Sequence, residues 1–343
     1  MPEKTGKRGI VFAGAGASAA VDRDNFPTTA DFFKRLPETI SDDSIFKLVE
    51  GFLRKGDTDA IIDIEDILWN LQSLRGFLNS TSSGADIVGY AIAKERLLKT
   101  INPGWNFGHL SQAKPSLISS IDAIISAINS QVYDLYGETP SIEKLRPNWI
   151  SLLDLMSKLE HSFDIFTTNY DINIETAVEH LFPADCDAHF GTKGTRHRIL
   201  DMELWRAAQE TDAGLLTKLH GSLDWKTKDN KIYVGDPLFT GDHSKQGIIY
   251  PGFKGVSDNL FFKPFHDYFE RRLSRASLVV FIGFAFRDEY ITESIRNNLD
   301  PSAKVIIINP AKSVKFPYNR SVAKYIHKGF NESIEPLKEL LKL

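Results

Sequence analysis

Apolar and polar positions follow two regimes along this chain, and the change of regime marks its parts. Five short runs are apolar at nearly every position and end on glycine or polar residues: Gly9–Ala13, Ser162–Thr167, Leu215–Leu219, Leu278–Gly283 and Lys304–Asn309. Runs of this length predict strands of a parallel sheet covered on both faces. Helix-period stretches lie between and after them, at Ile172–Leu181, Leu260–Leu273, from Asp288 to Leu299, and at Glu332–Leu341. The stretch ending at Leu273 has an aromatic face of Phe261, Phe262, Phe265, Tyr268 and Phe269. Its Pro264 is compatible only with a helix start. Lys226–Val234 reads as a hairpin turning around Lys228-Asp229-Asn230.

From about residue 40 to 160 the apolar spacing is three and four instead. Ile64, Ile67, Leu68, Leu71, Leu74 and Leu78 form one stripe. Ile118, Ile121, Ile124, Ile125, Ile128 and Val132 form another, after breaks at Pro103-Gly104 and Pro115. Trp149 to Leu159 forms a third, entered after Pro147. Such stripes are the core-facing sides of packed helices. An all-α lobe over about residues 40–160 is therefore expected, inserted into one α/β domain that spans 1–343.

Where the first strand ends, Gly14, Gly16 and Ala19 fit a G-x-G-x-x-G/A turn into a helix. Gly14 is expected to take a φ barred to side chains. Gly16 is expected to let backbone N–H groups approach a phosphate at the positive end of the helix. The fold class is thus α/β, a Rossmann-like parallel sheet with helices on both faces and an inserted all-α lobe. The acidic residue that grips a ribose about 20 residues on in an ordinary site is missing, because Asp31 falls in a helix start. The loop from Asp22 to Thr29 either closes over a ligand or simply connects.

Composition narrows the classes. A net charge of -4 over 343 residues gives no bulk reason to expect nucleic-acid or membrane binding. No apolar run is long enough to span a bilayer, and Met1-Pro2-Glu3-Lys4 opens no signal peptide. One cysteine, Cys186, allows neither an intrachain disulfide nor a four-cysteine zinc site, which suits a cytoplasmic protein. No metal ligand set stands out, so metal-dependent nuclease chemistry is disfavoured.

The strand ends carry the candidate chemistry. Thr168, Asn169 and Asp171 follow the second predicted strand, His220 the third, Gly283 the fourth and Asn309 the fifth. Ligands of doubly wound sheets bind at such carboxyl ends. Asn169 and Asp171 are also good helix caps, and His220 taken alone reads as a structural histidine.

Gly14-Ala15-Gly16-Ala17-Ser18, Thr168-Asn169-Tyr170-Asp171, Leu219-His220-Gly221 and Ile308-Asn309 occur in that order, and together they resemble the sirtuin family. The resemblance covers residues 9–36 and about 160–312. It implies that Ala15, Gly16 and Ser18 contact the phosphates and ribose of NAD+, beside Gly14 and Gly283. It implies that Asn169 and Asp171 face the nicotinamide side, that Thr168 is among the cofactor contacts, that His220 is the catalytic histidine and that Asn309 binds the adenosine ribose. The paired C-x-x-C motifs of the sirtuin zinc ribbon are absent, Thr168 replaces a glutamine, and Phe284-Ala285 replaces Thr-Ser after Gly283. In these departures the chain resembles bacterial sirtuin-like effectors of anti-phage defence. That implies an NAD+ hydrolase, with NAD+ as substrate, no zinc, homo-oligomerisation, and control by a partner such as a HerA-type translocase ATPase. A protein deacylase or ADP-ribosyltransferase, and a non-catalytic NAD- or ADP-ribose-binding scaffold, are the alternatives.

Overall fold

The computed structural model describes residues 8–54, 62, 64–79, 100, 110–159, 163–182, 198–199, 205–206, 209, 214–228, 231–234, 246–248, 262–317 and 323–342. Cys186 and Phe261 lie outside them. The chain forms two compact units, one of residues 1–28, 133–249 and 253–343, the other of 29–132 with 250–252.

The first unit holds strands β1 (Arg8–Ala13), β2 (Phe163–Thr167), β3 (Arg198–Ile199), β4 (Leu216–Lys218), β5 (Gly221–Lys228), β6 (Lys231–Val234), β7 (Gln246–Ile248), β8 (Ala276–Ile282), β9 (Lys304–Ile308) and β10 (Ala323–Ile326). Six of them make a parallel sheet in the order β10-β9-β8-β1-β2-β4. From central β1 the chain passes first to β2 and β4 on one side, then to β8, β9 and β10 on the other. The order therefore reverses at β1, and in open α/β sheets the crevice for a ligand lies at such a switch point.

Strand pleating divides the core. Ile10 and Phe12 of β1 join Phe166, Phe281 and Ile307 on one face, under Phe265, Tyr268 and Phe269 of the helix Lys263–Leu273. Val11 and Ala13 join Ile165, Val280 and Ile308 on the other. That face is covered by the helices Ala15–Val21, Ser151–Ser157, Asn173–Leu181 and Ile334–Leu341. The Rossmann-like expectation is met: a parallel sheet with helices on both sides.

A buried ion pair ties the sheet to its aromatic helix. Asp164 of β2 is 1% exposed, and its Oδ2 lies 2.5 Å from Arg272 Nε. Its Oδ1 accepts from Tyr268 Oη at 3.1 Å and from the Leu215 N–H at 3.1 Å. Arg272 Nε also reaches Tyr268 Oη at 2.9 Å, with its guanidinium 5.1 Å from the ring centroid.

Several elements differ from the sequence expectation. A second, antiparallel sheet β3-β6-β5-β7 is built from β3 before β4 and from β5, β6 and β7 after it. The expected hairpin is its β5–β6 part, although β5 starts at Gly221 rather than Lys226, and residues 229–230 of the turn lie outside the described ones. β10 was not legible, because Lys324 and Tyr325 are exposed on this edge strand and Ile326 alone is buried. Pro115 does not break the second stripe but lies inside the helix Leu110–Tyr136. A proline there forfeits one backbone hydrogen bond, and burial of Leu117, Ile121, Ile124, Ile128 and Val132 along the same helix offsets the loss. The third stripe begins earlier than Trp149, in a π-turn at Arg146–Ile150 with Pro147 near its start.

The second unit is helical: Thr29–Phe33, Glu38–Ser41, Ser44–Arg54, Ile64–Asn79 and the first part of Leu110–Tyr136. Ile64, Ile67, Leu68, Leu71 and Leu78 are buried as their spacing requires, and Arg75 Nε pairs with Asp122 Oδ1 at 2.5 Å. Helices from Ile142 to Ser157 belong to the first unit. Among the described residues no helix is long and apolar enough to cross a membrane.

Candidate active site

The carboxyl ends of β1 and β2 are joined by one chain of hydrogen bonds. Thr167 Oγ1 donates to the Ala13 carbonyl at 3.1 Å and accepts the Asn169 N–H at 3.0 Å, which turns the chain out of the sheet. Asn169 Nδ2 donates to the Gly14 carbonyl at 2.9 Å and to Ser18 Oγ at 2.7 Å. Ser18 Oγ in turn donates to Asp171 Oδ2 at 2.5 Å, and Asp171 Oδ1 accepts the Asn173 N–H at 3.0 Å. Because a carbonyl only accepts, the NH₂ end of Asn169 is fixed and Oδ1 is the end free to accept from a ligand. Both Asp171 oxygens are bonded, and the residue is 4% exposed. Asp171 thus ties the Asn169 loop to Ser18 and to the start of the helix Asn173–Leu181. The Ser18 hydroxyl proton is likewise committed inside the network.

The glycine loop is built differently from the expectation. Gly14 is extended, at φ -112° and ψ -176°, so no unusual dihedral requires a glycine. Close approach does: a Cβ there would sit 2.8 Å from the Phe284 Cα. Gly16 donates its N–H to the Gly283 carbonyl at 3.0 Å, and Gly14 donates to the Ile282 carbonyl at 2.9 Å. The glycines thus pack loop against loop, and these two N–H groups are used within the protein. Gly283 is the tightest point, with φ +60° and a virtual Cβ 2.3 Å from the Ala17 nitrogen. Gly283→Ala is expected to cost at least about 1–2 kcal/mol for the left-handed backbone alone, and more for the backbone clash. Its thermal melt should be lower than wild type.

His220 lies between β4 and β5, where Gly221 turns the chain at φ +85°. It is 1% exposed, and its ring centroid is 6.4 Å from that of Tyr170 in the Asn169 loop. The flanking backbone holds it there: Leu219 N–H donates to the Thr167 carbonyl at 2.8 Å, and Leu223 N–H to the Tyr170 carbonyl at 3.0 Å. Lys218 is buried beneath the same loop. Its ammonium donates to the Asp171 and Tyr170 carbonyls, to Ser222 Oγ at 2.8 Å and to Glu175 Oε1 at 2.9 Å. On the far side, His220 Nε2 lies 3.1 Å from Asp288 Oδ2. Asp288 caps the helix Glu289–Asn298 through the Ile291 N–H at 2.9 Å. Burial raises its carboxyl pKa, but His220 and the cap outweigh this and leave it below the ordinary value.

His266, on the aromatic helix, directs Nε2 at the Leu219 carbonyl 3.0 Å away. Burial, reinforced by nearby His220, pushes its pKa from 6.5 down to about 4. Between those values the unfolded chain holds a proton that the folded one lacks. Its contribution to stability is therefore complete above pH 6.5 and is lost as the pH falls toward 4. The loss amounts to on the order of 3 kcal/mol. Urea unfolding of His266→Gln should show that this part of the pH dependence has gone.

Asn309 follows β9 and is half-buried, with Nδ2 on the Phe284 carbonyl at 3.3 Å and Oδ1 accepting the Ala311 N–H at 3.0 Å. Ala15 and Thr168 are half-buried at the ends of β1 and β2. All ten residues singled out in the sequence therefore sit at the carboxyl edge of the parallel sheet. Ser18, Asn169 and Asp171 share one network with the Gly14 carbonyl, and Gly283 meets Gly14 and Gly16. Lys218 and Asp288 carried no role in the sequence reading. Asp288 was visible there only as a helix start, since its nearness to His220 depends on how β4 and β8 are placed. No group of three or more metal-ligating side chains occurs among the described residues.

Residues 164–325 match the family model described as SIR2-like domain. The matched segment runs from β2 to β10 and contains Asn169, Asp171, His220, Gly283, Asp288 and Asn309, while β1 and the glycine loop precede it. No curated protein matches the chain. Among solved structures, a Sir2 homologue mutant in complex with 2′-O-acetyl ADP ribose is similar at 15% identity and TM-score 0.43, covering 98% of this chain and 92% of that one. A Sir2 homologue–NAD complex is similar at 14% identity and TM-score 0.41, covering 98% and 90%.

Proposed function

We propose that this chain cleaves NAD+ at the bond between nicotinamide and C1′ of its ribose, giving nicotinamide and ADP-ribose. The observation that carries the reading is the Gly14–Asn169–Ser18–Asp171 network, with His220 beside its loop. Nicotinamide leaves as a neutral base, so the transition state is a cation at C1′. The protein has to orient the ribose and one water and to take up a proton. Asn169 Oδ1 is a neutral acceptor held in a fixed direction, suited to a ribose hydroxyl or the attacking water. His220 takes the proton, since an imidazole titrates near cellular pH. Ser18 and Asp171 orient Asn169. Ala15, Gly16, Thr168 and Gly283 would line the phosphate and nicotinamide side, and Asn309 the adenosine ribose.

The sequence resemblance further supports NAD+ depletion in anti-phage defence, in the cytoplasm. Control would come from self-assembly or from a partner such as a HerA-type ATPase, because unregulated NAD+ loss would kill the host. The deacylase alternative is tested by incubating the protein with NAD+, with and without an acetylated peptide. Cleavage without peptide supports hydrolysis. Strict dependence on peptide, with an acetylated ADP-ribose product, would replace it.

A further inference from the structure

We propose that Asp288 is a positioning residue for His220: its carboxylate fixes the imidazole tautomer and stabilises the imidazolium that forms when the ring takes up a proton. The proposal rests on the reading of His220 as the base at the nicotinamide ribose.

Three features of the geometry carry it. Asp288 Oδ2 is 3.1 Å from His220 Nε2, in ion-pair contact and within reach of an Nε2–H···O bond once the ring tilts into line. Nδ1 is then the basic nitrogen. Asp288 is itself held firmly, because its other oxygen caps the Glu289–Asn298 helix. The loop that delivers it is costly to build. Gly283 and Phe286 both have positive φ, +60° and +56°, and for phenylalanine that is an uncommon conformation. Rings of Phe281, Phe284 and Phe316 hold Phe286 at centroid distances of 5.1, 4.9 and 5.6 Å. Strain of this kind persists where surrounding packing over-determines it, and here it precedes Asp288 by two residues.

The other titratable groups around the ring are compatible with this role. Tyr170 faces it from the β2 loop, and Lys218, on its own strand, is turned toward the Tyr170 and Asp171 carbonyls. His266, on the aromatic helix with Asp267, is neutral near pH 7, and Asp288 is a charge within bonding distance. In the proposed reaction water adds to C1′ as the C1′–nitrogen electron pair leaves with nicotinamide. The water proton passes to Nδ1 of His220 while Nε2–H stays on Asp288, and is then released to solvent.

The test uses full-length protein with ¹⁵N-labelled histidine, the His220 signals being assigned by difference from His220→Gln. Asp288→Asn removes the charge yet remains a good helix cap, and Asp288→Ser is a second capping variant. In wild type His220 is expected to be the Nε2-protonated tautomer, titrating about 1 unit or more higher than in both variants. In parallel, kcat for NAD+ cleavage should fall by about 10²–10⁴-fold with KM nearly unchanged. An identical tautomer and titration in all three proteins would overturn the proposal. The spectra need no turnover. A shifted His220 titration in a protein that leaves NAD+ intact would uphold the pair and reject the hydrolase reading. Cleavage with an unshifted titration would do the reverse.

Discussion

Asn169→Ala and His220→Ala are each expected to lower NAD+ turnover by about 10²–10⁴-fold while leaving the folded protein intact. For His220 the loss is that of the proton acceptor. The reasoning for Asn169 is geometric. Its amide bridges the Gly14 carbonyl and Ser18 Oγ, so truncation releases the Gly14 turn and the Ser18–Asp171 bond together, as well as removing Oδ1. Losing these bonds costs about 1–3 kcal/mol of stability, so thermal melts should accompany the rates. Asn169→Asp separates the two roles. It keeps an oxygen acceptor but sets a second oxygen against the Gly14 carbonyl, near the Asp171 carboxylate. It should be as inactive as the alanine variant. Initial rates at saturating NAD+ decide the matter, and wild-type rates in Asn169→Asp would show that the fixed amide is unimportant.

Asp164→Ala is expected to have the largest effect on stability, about 3–5 kcal/mol. The change leaves the Arg272 guanidinium, 9% exposed, without its carboxylate inside the aromatic layer. The Tyr268 hydroxyl and the Leu215 N–H lose their acceptor as well. Since Leu215 leads into β4, the damage extends toward His220. Replacing both partners, as in Asp164→Leu with Arg272→Met, should be much milder than Asp164→Ala. A buried pair can be exchanged for apolar packing, whereas a lone buried charge cannot be tolerated. Urea unfolding of the three proteins measures this. Equal losses in the single and double variants would show that packing rather than charge dominates.

The parallel sheet was legible because its strands are buried on both faces and so read as continuous apolar runs, as in Val305–Ile308. β10 was hidden because an edge strand with Lys324 exposed needs no such run. β3 and β7 were equally hard to read, whereas β6 was found only through its hairpin turn. These two missed strands are two and three residues long, too short to show a period. Pro115 misled because sequence pattern weighs a local backbone penalty without the packing that offsets it. At the site, residue types at strand ends could be read, but their pairings could not. Gly16 looked like a phosphate cradle, whereas Gly283, 267 positions away in sequence, is what it packs against. The Asp288–His220 contact likewise spans β8 and β4, which are not neighbours in the sheet.

The most direct measurement is NAD+ consumption by the purified protein, with nicotinamide and ADP-ribose quantified by chromatography beside His220→Ala, alone and with the candidate ATPase added. The account predicts equimolar nicotinamide and ADP-ribose from wild type and almost none from the variant. Absence of both products under every condition, or equal amounts from the two proteins, would contradict it.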